Sequence, residues 1–232
     1  IVHNKKLFAV SENKRAKVAV IGAGPAGIAC ACELRLHSYL VDIYEEKAQP
    51  SGLLIHGVAP YKIENLEITT EINYLQSIFG FTVHYNSPIK TKTDLQKLEK
   101  TYSAIFLGIG LGNTKSLNIR GEDLKNCIGA TEFIEQLKLN RLTTGVGKKV
   151  VVLGGGNTAM DAASNAARMG AETVILAYRG NKAEMKAYHF EYEPAKNVGV
   201  KAIFNAIPLA ITGNGQVSGV KFQKTQTHNG KL

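Results

Sequence analysis

Lys17-Val18-Ala19-Val20-Ile21-Gly22-Ala23-Gly24-Pro25-Ala26-Gly27 decides the fold: a short β-branched apolar run stops at a glycine cluster, and an Ala-rich stretch from Pro25 to about His37 follows. The run predicts a buried strand, the glycines a tight turn and the Ala-rich stretch a helix. Residues 40–44, Leu-Val-Asp-Ile-Tyr, predict a second strand, so the opening forms a strand–helix–strand unit. The turn reads G-x-G-x-x-G. In that pattern Gly22 permits the turn, Gly24 lets backbone approach a pyrophosphate and Gly27 lets the helix pack on the strand. The helix start, with Pro25 fixing its first φ and Ala26 following, directs the free N–H groups after the proline at the anion. Glu45 closes the second strand 23 residues after Gly22, close to the ~20 residues expected of a carboxylate that binds ribose. The competing reading is a glycine-rich turn that binds nothing.

Further on, Leu66 to Phe79 has helical spacing with Gly80 as a stop, Phe81 to Tyr85 alternates like a strand, Asp94 to Lys100 predicts a short helix, and Ala104 to Leu107 predicts a buried strand ending at Gly108. Gly112 to Lys149 is more polar, with one amphipathic helix at 130–139 and a Gly145-Val146-Gly147 turn. The opening theme then returns: a strand at Lys149 to Leu153, the turn Gly154-Gly155-Gly156-Asn157-Thr158-Ala159, a helix from Thr158 to Met169 and a strand from Thr173 to Tyr178. The two turns begin 132 residues apart, too far for a solenoid period and suited to two α/β, Rossmann-type domains in tandem. The expected boundaries are a lead-in at 1–16, a first nucleotide domain at 17–113, a connection at 114–147 and a second nucleotide domain at 148–232.

The second strands end differently, with Tyr44-Glu45 in the first unit and Tyr178-Arg179 in the second. A carboxylate repels a ribose 2′-phosphate, whereas a guanidinium grips one. Lys182 and Lys186 lie just beyond and add point charge; a plain surface arginine is the alternative for Arg179. One unphosphorylated and one phosphorylated ribose point to FAD at the first turn and NADP at the second, with NAD as the alternative there. Transfer of hydride between two such cofactors needs no side-chain nucleophile or base, so no catalytic residue is nominated. The six histidines show no metal-ligand spacing, and no metal site is nominated.

Composition narrows the setting. Across 232 residues, 44% are hydrophobic and 20% charged, and no apolar stretch approaches the roughly 18 residues of a membrane span. The net charge of +9 would suit nucleic acid, but Lys5, Lys6, Lys14, Arg15 and Lys17 crowd the start as a solvated lead-in without interleaved aromatics, so no nucleic-acid partner is expected. Cys30, Cys32 and Cys127 are too few and too odd in number for a disulfide framework, and no secretory leader is visible; a cytoplasmic setting is the expectation. Cys30 and Cys32 lie one residue apart in a helical stretch and cannot share a face, which favours buried small residues over ligands.

With these motifs in order, the chain resembles the pyridine-nucleotide reductase module shared by the small subunit of bacterial glutamate synthase and the NADPH-side half of dihydropyrimidine dehydrogenase. Val18 to Gly27 carry the resemblance, with Ser51-Gly52-Leu53-Leu54, His56-Gly57-Val58, Phe106-Leu107-Gly108-Ile109-Gly110, Gly154 to Asp161, Tyr178-Arg179 and Glu184-Met185. The resemblance implies that Gly52 and Leu53 lie along the FAD phosphates and ribityl chain. It sets Lys62 where the family has an arginine near the phosphates, passes Gly108 and Gly110 close to the FAD, and gives Lys186 a phosphate-reading role. The chain departs from the family at Ser51 (a glycine), Ala59 (a proline) and Gly180 (a second basic residue). The family also carries a cysteine-rich iron–sulfur segment upstream and a C-terminal segment returning to the flavin. The chain therefore reads as truncated, with iron–sulfur clusters in a missing segment or partner, and with a partner subunit or ferredoxin-like protein as electron acceptor. No cysteine follows Cys127, so no redox dithiol is expected. A stand-alone ferredoxin–NADP reductase, a flavin monooxygenase and a nucleotide-binding fragment without turnover are the alternatives. Whether 2-oxoglutarate plus glutamine, a pyrimidine or a ferredoxin is finally reduced stays open.

Overall fold

The computed structural model describes Phe8, Val10 and residues 16–112, 114–140 (Asn140 by its backbone) and 145–225. The lysines expected to form a basic lead-in, apart from Lys17, and the segment after 225 lie outside the described residues. The chain divides into two compact units, the first running to His56 and from Tyr61 to Gly112, the second holding Gly57–Pro60 and everything described from Thr114 onward.

In the first unit, β1 (Lys17–Ile21), α1 (Pro25–Leu36), β2 (Leu40–Tyr44), α2 (Leu53–His56), α3 (Asn65–Phe79), β3 (Thr82–His84), α4 (Lys92–Thr101) and β4 (Ala104–Leu107) follow in order. The strands form one parallel sheet ordered β3-β2-β1-β4, with β1 paired to β2 from Lys17↔Leu40 to Ile21↔Tyr44. Alternation along β1 supplies both faces. Val20 joins Ile28 and Ala31 of α1 and Ile68 and Ile72 of α3 on one side, while Ala19 and Ile21 meet Leu98 of α4 and Tyr102 on the other. Such two-sided cover is what a parallel sheet needs. Helix α3 opens with a capping box of Glu64 and Glu67 and stops at Gly80 in the left-handed region; α4 opens with a capping box of Thr91 and Asp94.

One polar cluster sits on the α4 face. Asp42 of β2 accepts from Tyr102 Oη at 2.5 Å and from Lys17 Nζ at 2.5 Å. Tyr44 Oη lies 2.8 Å from Tyr102 Oη, and the His84 ring stacks on Tyr44 with its Nε2 3.8 Å from Asp42. Burial opposes ionisation of Asp42, but the Lys17 and Tyr102 hydrogen bonds and the Lys17 and His84 charges outweigh it and hold its carboxyl below the usual aspartate value. Tyr102 is pushed up, first by burial and then by donating to Asp42.

The second unit holds α5 (Ala130–Asn140), β5 (Lys149–Leu153), α6 (Asn157–Arg168), β6 (Thr173–Ala177), a 3₁₀ turn (Lys182–Glu184), α7 (His189–Asn197), β7 (Lys201–Ile203), β8 (Ala206–Asn214) and β9 (Gln216–Lys224). Strands β5-β6-β7 form a parallel sheet, and β8 and β9 a separate antiparallel hairpin. Alanines 159, 163 and 166 let α6 lie close on β6 and α7. The stretch expected to be a connection is part of this unit: Ile134 and Leu137 of α5 are fully buried, and Arg120 and Lys125 bridge to Ala210 and Gln216 of the hairpin. Its polarity misled because only one face of α5 is apolar. Among the described residues no helix is long and apolar enough to cross a membrane.

Candidate functional site

Each unit builds its site where a strand hands over to a helix. At the first, β1 is followed by Gly22, whose N–H donates to Tyr44 O at 2.8 Å while Gly108 N–H donates to Ile21 O at 2.8 Å, so the turn is pinned by the strands on both sides of β1. Gly22 has φ +98°, and a Cβ there would lie 2.5 Å from Gly108 O. At Gly27 a Cβ would run into the Gly22 carbonyl oxygen, which is the close helix–strand packing expected of the third glycine. Gly24 differs: a Cβ would meet nothing nearer than Gly108 O and Gly52 Cα, both at 4.0 Å. The face above Gly24 is therefore open backbone, flanked by exposed Pro25 and Ala26.

Helix α1 begins at Gly24 with Pro25 in its first turn, and has neither a side-chain cap nor an acidic residue there. Helix α6, N-capped by Gly156, likewise has no side-chain cap and no acidic residue in its first turn. The contrast with the capping boxes of α3, α4 and the 3₁₀ turn is informative. The two helices that follow glycine turns carry no side-chain cap and no first-turn acid, which leaves the positive end of the helix dipole open to an anion.

Glu45 is 7% exposed at the end of β2. Its Oε2 accepts from Ala23 N at 2.7 Å, inside the turn, and its Oε1 from Lys47 N at 2.9 Å. These bonds fix the carboxylate against the turn with acceptor capacity left over. Gly52 faces Gly24 across a gap that a Cβ on Gly52 would close to 3.1 Å. Leu53 is exposed at the start of α2, and Lys62 is exposed with Nζ 5.9 Å from the Tyr61 ring centre. Gly110 follows β4 in the left-handed region with open space around it, among exposed Leu107, Ile109 and Leu111. The structure thus gathers Gly22, Gly24, Gly27, Glu45, Gly52 and Gly108 at one turn.

At the second turn Gly154 N–H donates to Ala177 O at 2.9 Å, and the methyl of Ala159 lies 3.4 Å from where a Gly154 Cβ would stand, so alanine suffices as the third member of the pattern. Nothing lies within 4 Å of a Cβ on Gly156. Asn157 opens α6 and accepts from Tyr188 N through its Oδ1 at 3.0 Å, and Ala187 N donates to Gly155 O at 2.9 Å. The 185–188 segment, with exposed Lys186, is thereby tied to the turn. Arg179 is exposed just past β6. Its carbonyl accepts from Thr225 Oγ1 at 3.0 Å, and among the described residues its guanidinium meets no carboxylate.

Three residues that sequence reading did not single out as site residues shape these turns. The Tyr178 ring fills the space where a Gly155 Cβ would be, 2.5 Å from Cδ2, and its hydroxyl donates to Glu184 O at 2.9 Å. Glu184 packs against Gly180. Ser51, noted as a replacement for glycine, has φ +72°, donates its N–H to Ala23 O at 2.6 Å, and buries a hydroxyl that has no partner among the described residues. The positive φ is the signal behind the family's glycine there. Cys30 and Cys32 pack at the edge of the first core; burial pushes both thiols up, Cys32 to about 11 against a smaller lowering by a backbone hydrogen bond, so neither is a ready thiolate.

The model of the pyridine nucleotide-disulphide oxidoreductase family matches residues 16–232. The chain is 37% identical over 215 residues to the NADPH-Fe(3+) oxidoreductase subunit beta of Geobacter sulfurreducens, covering 90% of this chain and 32% of that protein. It is 35% identical over 222 residues to the glutamate synthase [NADPH] small chain of Escherichia coli, covering 90% and 47%. The chain thus spans about a third to a half of the length of these two relatives. Among solved structures, Mycobacterium tuberculosis FprA in complex with NADPH superposes with a TM-score of 0.76 at 17% identity, over 94% of this chain and 65% of that one. The thioredoxin reductase of T. acidophilum gives 0.68 at 22% identity, over 92% and 72%. The structural matches carry the fold.

Proposed function

The chain belongs to the pyridine nucleotide-disulphide oxidoreductase family, and from that premise we propose that it takes a hydride from NADPH onto FAD and passes the electrons to iron–sulfur clusters or a partner subunit. It is an NAD(P)H-dependent flavoprotein oxidoreductase. The observation that carries the assignment of the two cofactors is the opposite charge at two otherwise equivalent turns: Glu45, fixed against the first turn, and Arg179, exposed beside the second.

The residues present fit both groups. At each turn an uncapped helix start and a glycine with open backbone above it, Gly24 or Gly156, receive a pyrophosphate. Glu45 accepts from ribose hydroxyls, with Gly52, Leu53, Lys62, Gly108 and Gly110 along the rest of the flavin nucleotide. Asn157, Thr158 and Ala159 line the second pyrophosphate, and Arg179 and Lys186 neutralise a 2′-phosphate. When bound, the nicotinamide supplies the hydride and the isoalloxazine takes it, so this chain's residues bind, orient and exclude water. The relatives named above are a subunit beta and a small chain, which supports onward transfer to a partner.

Two variants of the whole protein test the assignment. Glu45→Arg sets a cation where ribose needs an acceptor and should abolish flavin co-purification while NADPH binding persists. A charge-assisted bond to phosphate is worth about 1.5–3 kcal/mol, so Arg179→Ala should weaken NADPH roughly tenfold or more by calorimetry and leave NADH nearly unchanged. Full flavin content in the first variant, or equal weakening of NADH and NADPH in the second, would sink the respective assignment. Onward transfer is checked by NADPH-driven reduction of an added ferredoxin; a flavin that is reduced but never passes electrons on contradicts that step.

A further inference from the structure

Building on the assignment of the second turn to a pyridine nucleotide, we propose that Glu184 sets that site's preference: its carboxylate takes the place beside Arg179 where a second cation would grip a 2′-phosphate, serves a free 2′-hydroxyl instead, and keeps NADH usable alongside NADPH.

The placement is read from Gly180. A Cβ there would lie 2.5 Å from Glu184 Oε2, 3.5 Å from Glu184 Cβ and 3.0 Å from Tyr178 Cε1. The position after Arg179 therefore carries no side chain, and an acid covers it. Glu184 is held in this position. Its Oε2 accepts from Asn181 N at 3.1 Å and its N–H donates to Asn181 Oδ1 at 3.1 Å, a capping box closing the 3₁₀ turn. Its carbonyl accepts from Tyr178 Oη at 2.9 Å, and the Tyr178 ring lies against Gly155 of the glycine turn. Strand end, ribose-side loop and phosphate turn are thus one packed assembly around Tyr178, and the acid keeps a fixed relation to the nucleotide turn.

The charges around it are mixed. Arg179 and Lys186 are exposed and, among the described residues, neither forms an ion pair. Lys182, the remaining cation on this loop, points its Nζ at the Tyr192 ring, 5.0 Å from the centre. A dianionic 2′-phosphate gains from Arg179 and Lys186 and loses to Glu184; a 2′-hydroxyl is neutral and gains an acceptor. Because all these groups are exposed, the acid changes the balance by about twofold to fivefold rather than by orders of magnitude.

The test is calorimetric titration of the whole protein with 2′,5′-ADP and with 5′-ADP, which differ in the phosphate that Glu184 is proposed to disfavour, with the first turn saturated by FAD. Glu184→Gln keeps the capping geometry, since glutamine also serves at that position, and removes the charge. The expected result is a rise of about two- to fivefold in the affinity ratio of 2′,5′-ADP to 5′-ADP. Glu184→Ser, shorter and neutral, should move the ratio the same way even if the loop is looser. A ratio unchanged in both variants, while Arg179→Ala still weakens 2′,5′-ADP, overturns the role of Glu184 and leaves the nucleotide assignment standing. A wild-type protein that binds neither ligand overturns both.

Discussion

Gly27→Ala adds one methyl group where α1 crosses the first turn, and its effect follows from neighbouring atoms. In an open helix the change is favourable by about 1 kcal/mol. Here the new Cβ runs into the Gly22 carbonyl oxygen and lies 3.1 Å from that carbonyl carbon and 3.2 Å from Val20 Cγ1. Two of those atoms are backbone of a turn pinned by Tyr44 O and by Gly108 N–H, so they cannot step aside. Relief requires α1 to lift from β1, which loosens Ile28 and Ala31 in the core. Overpacking of this kind costs about 1–3 kcal/mol. Contact with backbone sets it at or above the upper end, leaving a net loss of about 2 kcal/mol. At about 2–4 °C per kcal/mol for a chain of this size, the melting temperature should fall by roughly 4–8 °C. Flavin retention should fall with it, because the same turn supplies the Ala23 N–H that fixes Glu45. Gly156→Ala is the counterpart: with nothing within 4 Å of its Cβ, it should melt like wild type yet bind NADPH more weakly, its methyl standing over the open turn. Thermal melting by circular dichroism, with flavin content after gel filtration, reads both. Gly27→Ala melting at or above wild type with full flavin would refute the packing argument.

Other outcomes are equally specific. Asp42 is held below the usual aspartate value in the folded protein, so its contribution is full above the unfolded value of 3.8 and is lost as pH falls through the lower folded value; Asp42→Asn should flatten the acid limb of the stability profile there, and an unchanged limb would show the Lys17–Asp42–Tyr102 cluster to be neutral. Ser51→Gly relieves a left-handed serine, roughly 1–2 kcal/mol against about 0.5–1 of glycine entropy, and removes an unpartnered buried hydroxyl. It should therefore raise stability by about 1 kcal/mol in a urea titration, and a loss of stability would mean the hydroxyl has a partner in solution.

The ranges of both strand–turn–helix units and of α3, α4, α5 and β4 were legible to within a residue or two, because their signals are local: β-branched runs, helical spacing, and glycine at a turn or a stop. The burial expected of β4 was not met, since it is an edge strand with most of its residues exposed. What escaped carries conflicting local signals. Pro194 sits inside α7 and Pro208 inside β8, where the hairpin register slips between Pro208 and Ala210; each reads as a breaker, yet a two-stranded hairpin has an edge on which proline is tolerated. Helix α2 is only four residues long. Within the site, the charge contrast of Glu45 and Arg179 could be read from spacing. The Tyr178 ring over Gly155 and the Glu184 carboxylate over Gly180 could not, because the first depends on how the strand end packs on the glycine turn and the second on how the 3₁₀ turn folds its last side chain back.

Anaerobic titration of the intact flavin-loaded protein with NADPH bears most directly on two cofactors meeting in one oxidoreductase. Addition of one equivalent of NADPH should bleach the visible flavin absorbance, and Arg179→Ala should need a roughly tenfold higher concentration for the same effect. A protein that binds both nucleotides at full occupancy but whose flavin stays oxidised, or whose bleaching by NADPH is indifferent to Arg179, would contradict it.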